Sequence, residues 1–378
     1  MVRVPVQTEL FRWALERSGR TEESARSKFP KFSEWLDGTR PATVRQLETF
    51  ANWTRTPFGF LMLDSPPEDR LPIPDFRTTS GRTLRPSPDL LETVQAMQRR
   101  QEWMQEFLIE EGQEPLAFVG EANMKDSPKK IAESMRSALG LSKEWAKQEK
   151  RWSDALRSLR QAIEAAEIMV VINGVVANNT HRRLDVNEFR GFALVAPIAP
   201  LIFVNGQDAK CAQMFTLAHE LAHLWIGAEG VSNLDRLQPV GAAVETFCNR
   251  VAAEFLVPIR EFETEWQIVA MDQDRFDRLA RTFKVSALVA ARRALDLRYI
   301  DREEFFAFYD HQIQTSVELR KRSTGGDFWK TQGVRIGDMF GSAVAQAVWA
   351  GRLLYRDAYK LTGLHGKTFD NYIAGLGL

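Results

Sequence analysis

The stretch FTLAHELAHLWIG, Phe215 to Gly227, constrains this chain more than any other. It reads as one helix in which His219, Glu220 and His223 are embedded in an apolar run. A buried polar or charged group is costly unless it is partnered. The chain has only five histidines, and two of them sit here, four residues apart. Whatever packs around this helix must therefore supply polar partners or a metal ion. With 378 residues and 44% hydrophobic content, the chain is long enough for two or three domains and a sizeable core.

On a helix, positions i and i+4 share a face, so His219 and His223 can point at one ion. Glu220 is rotated beyond the ligand circle, where a carboxylate serves as general base in an H-E-x-x-H arrangement. Zinc is the expected ion, and a catalytic zinc site takes three protein ligands and keeps one position open. Glu245, on the next predicted helix, is the favoured third ligand, with Glu254 and Glu229 as rivals. Asn249, one turn beyond Glu245, is placed to accept the outer N–H of a ligating histidine and fix its tautomer. The competing reading is a hydrogen-bonded core histidine pair with no metal. The apolar flanks, the strand before the helix and the acidic helix after it favour the metal.

Residues 6–63 read as a run of short helices with a helix-turn-helix pattern. Residues 64–89 carry six prolines and read as a linker, in which LPIPDFR has enough apolar content to dock on a neighbour. Residues 90–127 form a helical connector. The segments IMVVING, EFRGFALV and PLIFVN are short and apolar, as strands are. Beyond the acidic helix, which stops at Pro258, FDRLARTFKVSALVAARRAL forms a second helix-turn-helix-like pair, read as support for the catalytic helices. Residues 311–378 read as a helical extension.

In EFRGFALV, PLIFVN, FTLAHELAHLWIG and ETFCNRVAAEFLVP, taken in that order, the chain resembles the ImmA/IrrE metallopeptidases of bacteria and their mobile elements. LPIPDFR, LARTFKVSALVAARRAL and GGDFWKTQGVRIG are weaker likenesses. The resemblance implies zinc held by His219, His223 and Glu245, with Glu220 as catalytic base. It also implies cleavage of a regulator protein, a cognate DNA-binding repressor or a toxin–antitoxin component, in a stress, mobile-element or defence circuit. The family pattern often has other residues at Phe247 and Cys248, neither a ligand position. Cys248 reads as a small buried packing residue. Longer relatives carry an N-terminal helix-turn-helix.

Together these readings predict an α+β, mainly helical fold. A helix-turn-helix-like, all-helical domain (1–63), the linker (64–89) and the connector (90–127) precede a zincin-like catalytic domain (128–270) with a small antiparallel sheet beside the HExxH helix. The support region (271–310) and the extension (311–378) follow. Fifty basic residues balance fifty acidic ones, so net charge favours no nucleic-acid partner. For DNA contacts through 6–63, Arg12, Arg26, Lys28, Lys31 and Arg40 are the candidates. The presumed recognition helix KFSEWLDG carries Glu34 and Asp37, which repel phosphate. The alternative function is a DNA-binding regulator or antitoxin that uses the peptidase fold as a sensing module.

A substrate peptide is expected to pair with the strand Leu201, Ile202, Phe203, Val204 and Asn205, provided that strand has a free edge. His181, Tyr299 and His311 are candidates for stabilising an oxyanion. Two cysteines make no disulfide framework, the first residues have no secretory pattern, and no apolar run is long enough to span a bilayer. A cytoplasmic location with no membrane partner is expected.

Overall fold

Thr21 and Thr43 start two of the N-terminal helices. Their hydroxyls accept the backbone N–H of Ser24 (3.2 Å) and Gln46 (3.3 Å), and those side chains accept the threonines' own N–H in return. This reciprocal cap satisfies donors that a helix start leaves unpaired. The helices are α1 (Thr8–Arg17), α2 (Glu22–Lys28), α3 (Phe32–Leu36) and α4 (Val44–Thr54). Phe11, Phe29, Phe32, Trp35 and Phe50 meet ring to ring in their core.

One detail departs from expectation. Strands β1 (Arg3–Val4) and β2 (Ala42–Thr43) pair antiparallel, so this part is not all-helical; two residues are too few to show a period. The presumed recognition helix is α3, only five residues long, and its Phe32, Trp35 and Leu36 are buried.

The computed structural model describes the chain except residues 1, 69, 75–77, 80, 81, 84, 85, 229, 233–242, 320–332, 377 and 378. The chain divides into two units, Met1–Pro72 with Leu84–Val94, and Ile73–Thr83 with Gln95–Leu378. The proline-rich segment is thus shared between them. It contains a two-residue hairpin, β3 (Thr78–Thr79) with β4 (Arg82–Thr83). Ile73 of LPIPDFR is buried, while residues 75–77 of that stretch lie outside the described residues.

The larger unit is built on a four-stranded sheet of β5 (Met169–Asn173), β6 (Gly191–Leu194), β7 (Leu201–Asn205) and β8 (Gly230–Ser232), in the order β5-β7-β6-β8. β6 is antiparallel to both β7 and β8, but β5 runs parallel to β7. The sheet is therefore mixed, not antiparallel as expected. Every residue of β5 and β7 is buried, which explains why both read as unbroken apolar runs rather than alternating ones.

Helix α5 (Pro88–Glu110) reaches the sheet through two amides. Gln101 donates to the carbonyls of Leu194 and Ala199, and Gln105 to that of Ile198, which holds the β6–β7 connection. Helices α6 (Pro128–Ala138), α7 (Trp152–Ala165), α8 (Lys210–Ile226) and α9 (Ala243–Leu256) cover the sheet and one another. α8 is central, with every residue from Gln213 to Trp225 buried. Beyond it lie α10 (Ile259–Val269), α11 (Arg275–Phe283), α12 (Ala287–Asp296) and α13 (Arg302–Leu319). α11 and α12 meet at Lys284, which is left-handed at φ +55°, and Ser286 caps α12. Val289, Ala290, Ala291 and Ala294 of α12 share one core with α8. Three helices close the chain, Asp338–Trp349, Tyr355–Thr362 and Gly366–Ala374. No helix among the described residues is long and apolar enough to cross a membrane.

Candidate metal centre

Helical spacing puts His219 and His223 on one face of α8, and α9 lays Glu245 against them. The His219 and His223 Nε2 atoms are 3.0 Å apart. Glu245 Oε2 lies 3.1 Å from His219 Nε2, and Oε1 lies 3.1 Å from His223 Nε2. Among the described residues these three form a cluster whose ligand atoms all lie within 4.8 Å of one another. Both histidines are fully buried and Glu245 is 9% exposed.

The donor set fits a divalent cation. Ligands about 2.0–2.1 Å from a tetrahedral zinc stand about 3.3–3.4 Å apart, so each atom would move outward by only a few tenths of an ångström. Glu245 Oε1 is buried with no hydrogen-bond donor. Burial by itself would raise the Glu245 pKa, but the two imidazoles outweigh it and hold the carboxyl well below the usual range. Burial opposes protonation of His223, yet Cys248, Glu245 and Glu220 together push its pKa above the ordinary imidazole value. The pocket thus already favours positive charge at its centre.

The C-terminal turn of α8 fixes one tautomer. Gly227 is left-handed at φ +74°, which turns the chain back so that Ala228 N–H bonds the His223 carbonyl at 3.0 Å. The Ala228 carbonyl then accepts from His223 Nδ1 at 3.0 Å, leaving the Nε2 lone pair for a metal. The same end is sealed from outside: Gly120 and Ala122 donate their N–H groups to the Leu224 and Trp225 carbonyls, both at 2.9 Å. Asn249, expected to accept the outer N–H of a ligating histidine, makes no such bond: His223 already has its outer partner, and Asn249 Oδ1 and His219 Nδ1 are each buried without one.

Glu220 is fully buried beside the two imidazoles, and Gly191 of β6 provides its space. A Cβ at Gly191 would lie 3.1 Å from Glu220 Oε1, 2.6 Å from Thr216 Cγ2 and 2.8 Å from the Phe203 carbonyl oxygen. Sequence reasoning missed this residue. The available signal was a glycine inside an apolar strand, which marks a close approach of backbone.

Of the rival ligands, Glu254 belongs to another network. It pairs with Arg293 of α12 and accepts the Ile259 N–H at 3.3 Å, while Arg136 donates to the Glu254 and Phe255 carbonyls. Glu229 lies outside the described residues. Cys248 is buried, as expected of a packing residue, and lies close enough to the His223 imidazole to influence its charge. Tyr299 packs on Phe262 and Trp266, and His181 and His311 are exposed; none of the three joins the cluster.

The expected peptide-pairing strand is a correction. Residues 201–205 form β7, which has β5 on one side and β6 on the other. Its backbone groups are spent within the sheet, so no peptide can add there. In the N-terminal unit, Arg12 and Arg26 both pair with Glu22, and Arg40 pairs with Glu34. Lys28 and Lys31 are exposed.

Comparison with protein families agrees with this architecture. Residues 163–295 match the IrrE N-terminal-like domain of the peptidase M78 family. That span holds the sheet, the HExxH helix and α9, and defines a metallopeptidase-like domain. Residues 336–374 match a domain of unknown function (DUF8813). No curated protein matches the chain.

Proposed function

We propose that this protein is a zinc-dependent endopeptidase that cleaves one regulator protein, a DNA-binding repressor or toxin–antitoxin component. The observation that carries the reading is the convergence of His219, His223 and Glu245 beside the buried Glu220. Zinc held by these three would lower the pKa of a water to about 7 and polarise a peptide carbonyl. The protein's own residues do the rest. Glu220, backed by Gly191, takes the proton from the attacking water and returns it to the leaving amine. Ala228 holds the His223 ring in its ligating tautomer. The buried surroundings strengthen each of these interactions.

A substrate strand has one natural place near the centre. β8 begins two residues after the Ala228 carbonyl that orients His223, and among the described residues its only strand partner is β6. An extended peptide adding to β8 would lie along the chain segment that leaves the metal helix. The N-terminal unit serves protein docking better than DNA reading, because Arg12, Arg26 and Arg40 already face carboxylates and α3 is turned into its core.

The test is the Glu220→Gln variant. It should bind one zinc per chain, lose roughly 10²–10⁴-fold in turnover, and retain its uncleaved partner when used as bait. Full biological activity in that variant would instead establish the regulator reading, in which the fold senses or binds without cutting. Absence of any bound metal in the wild type would remove both the site and the reaction.

A further inference from the structure

We propose that residues 336–374 are an edge guard: they cover the outer edge of β5 and keep it from pairing with β5 of a second copy of this chain. Met169 N–H bonds the Pro200 carbonyl on the β7 side. Successive residues of a strand point their backbone groups to opposite sides, so the N–H and C=O of Val170 and Ile172 face outward. The Gly337 backbone is pressed onto that outward edge. A Cβ there would lie 2.8 Å from the Val170 carbonyl oxygen, and φ is +89°, so both space and conformation require glycine.

Charged side chains latch the guard. Glu164 of α7 accepts the first two N–H groups of the Asp338–Trp349 helix, from Asp338 at 2.9 Å and Met339 at 3.4 Å. Arg160 bridges Glu164 (2.7 Å) and Asp338 (2.8 Å). The buried Arg100 donates to the carbonyls of Arg335, Leu361 and Thr362, which also closes the end of the Tyr355–Thr362 helix. Asn178 donates to the Gly363 carbonyl at 2.8 Å. Phe340 completes the contact on Trp103, with ring centroids 5.6 Å apart.

The edge needs such a cover. Met-Val-Val-Ile-Asn is an apolar, β-branched strand, and an exposed edge of that composition is a template for pairing with another chain. The same strand on a second copy is always present at equal concentration, and a two-fold axis would let the two edges satisfy each other.

Full-length Glu164→Ala and Gly337→Val each disable one part of the latch; the second leaves every ion pair in place, so it stands if the first does not fold. Hydrogen exchange should accelerate at least tenfold at the outward amides of Val170 and Ile172. The β7-facing amide of Met169 should keep its wild-type rate. Light scattering should show a mass above that of the wild type, growing with protein concentration. Wild-type rates at Val170 and Ile172, with protection lost at 338–342, would overturn the proposal: the helix would then have opened without uncovering an edge. A mass equal to the wild type's at every concentration, with the edge amides exchanging freely, would overturn it as well.

Discussion

Gly191 shows how much chemistry can depend on an atom that is missing. Its bare Cα lets β6 lie against Thr216 and Glu220, so a methyl group there must displace the base, the threonine or the Phe203 carbonyl. Overpacking of this kind costs about 1–3 kcal/mol. The Gly191→Ala variant should therefore melt earlier, keep its zinc, and turn over substrate more slowly. Thr216→Ser removes the nearest clashing atom, so adding it should recover stability before it recovers turnover. Parallel melting curves, metal analysis and kinetics on all three proteins check this; if turnover returns in step with stability, Gly191 does not position Glu220. Glu245 and Glu254 make a second contrast. Both are buried acids on α9, but only Glu245 reaches the histidines. Glu245→Ala should lose zinc. Glu254→Ala leaves Arg293 buried and unpaired, which costs roughly 3–5 kcal/mol, while zinc stoichiometry stays at one.

At the scale of elements, local chemistry was readable and long-range pairing was not. Ser127 caps α6, because a cap is decided within one turn, although Ser153, which reads the same way, lies inside α7 behind Arg151. His219, His223 and Glu245 could be grouped because two share a helical face and the third opens the next helix. The parallel β5–β7 pairing had no sequence signal, since an apolar run looks the same whichever neighbour it meets. Gly-Val-Ser of β8 is too short and too polar to announce a strand. Assigning the peptide to β7 failed for the same reason: that strand's second neighbour, β5, lies some thirty residues upstream in the chain. Asn249 was placed correctly on its helix, but its Oδ1 accepts from neither histidine, and the partner that His223 does have, the Ala228 carbonyl, depends on the left-handed turn at Gly227.

The whole molecule should respond to pH through Glu164. Burial raises its pKa to about 7; Arg160 opposes this, Asp338 adds to it, and the two helix amides oppose it. The groups facing it are Arg160 on its own helix and Asp338 and Tyr372 from the guard. The folded value lies above the ordinary 4.5. Its stabilising contribution is therefore complete below about pH 4.5 and is lost as pH rises through about 7. The loss is on the order of 3 kcal/mol. Denaturant midpoints between pH 5 and 8 should fall in the wild type and stay flatter in Glu164→Gln. Equal slopes would mean that burial does not raise the Glu164 pKa on folding.

The seal at Gly120 bears on where a working fragment can be cut. The matched span begins at residue 163, yet the Leu224 and Trp225 carbonyls receive their N–H donors from Gly120 and Ala122. An excised 163–295 polypeptide would lose both of these bonds and loosen the bend that aims the Ala228 oxygen at His223. Minimal boundaries for expression or crystallisation therefore belong upstream of Gly120, whatever a family boundary suggests.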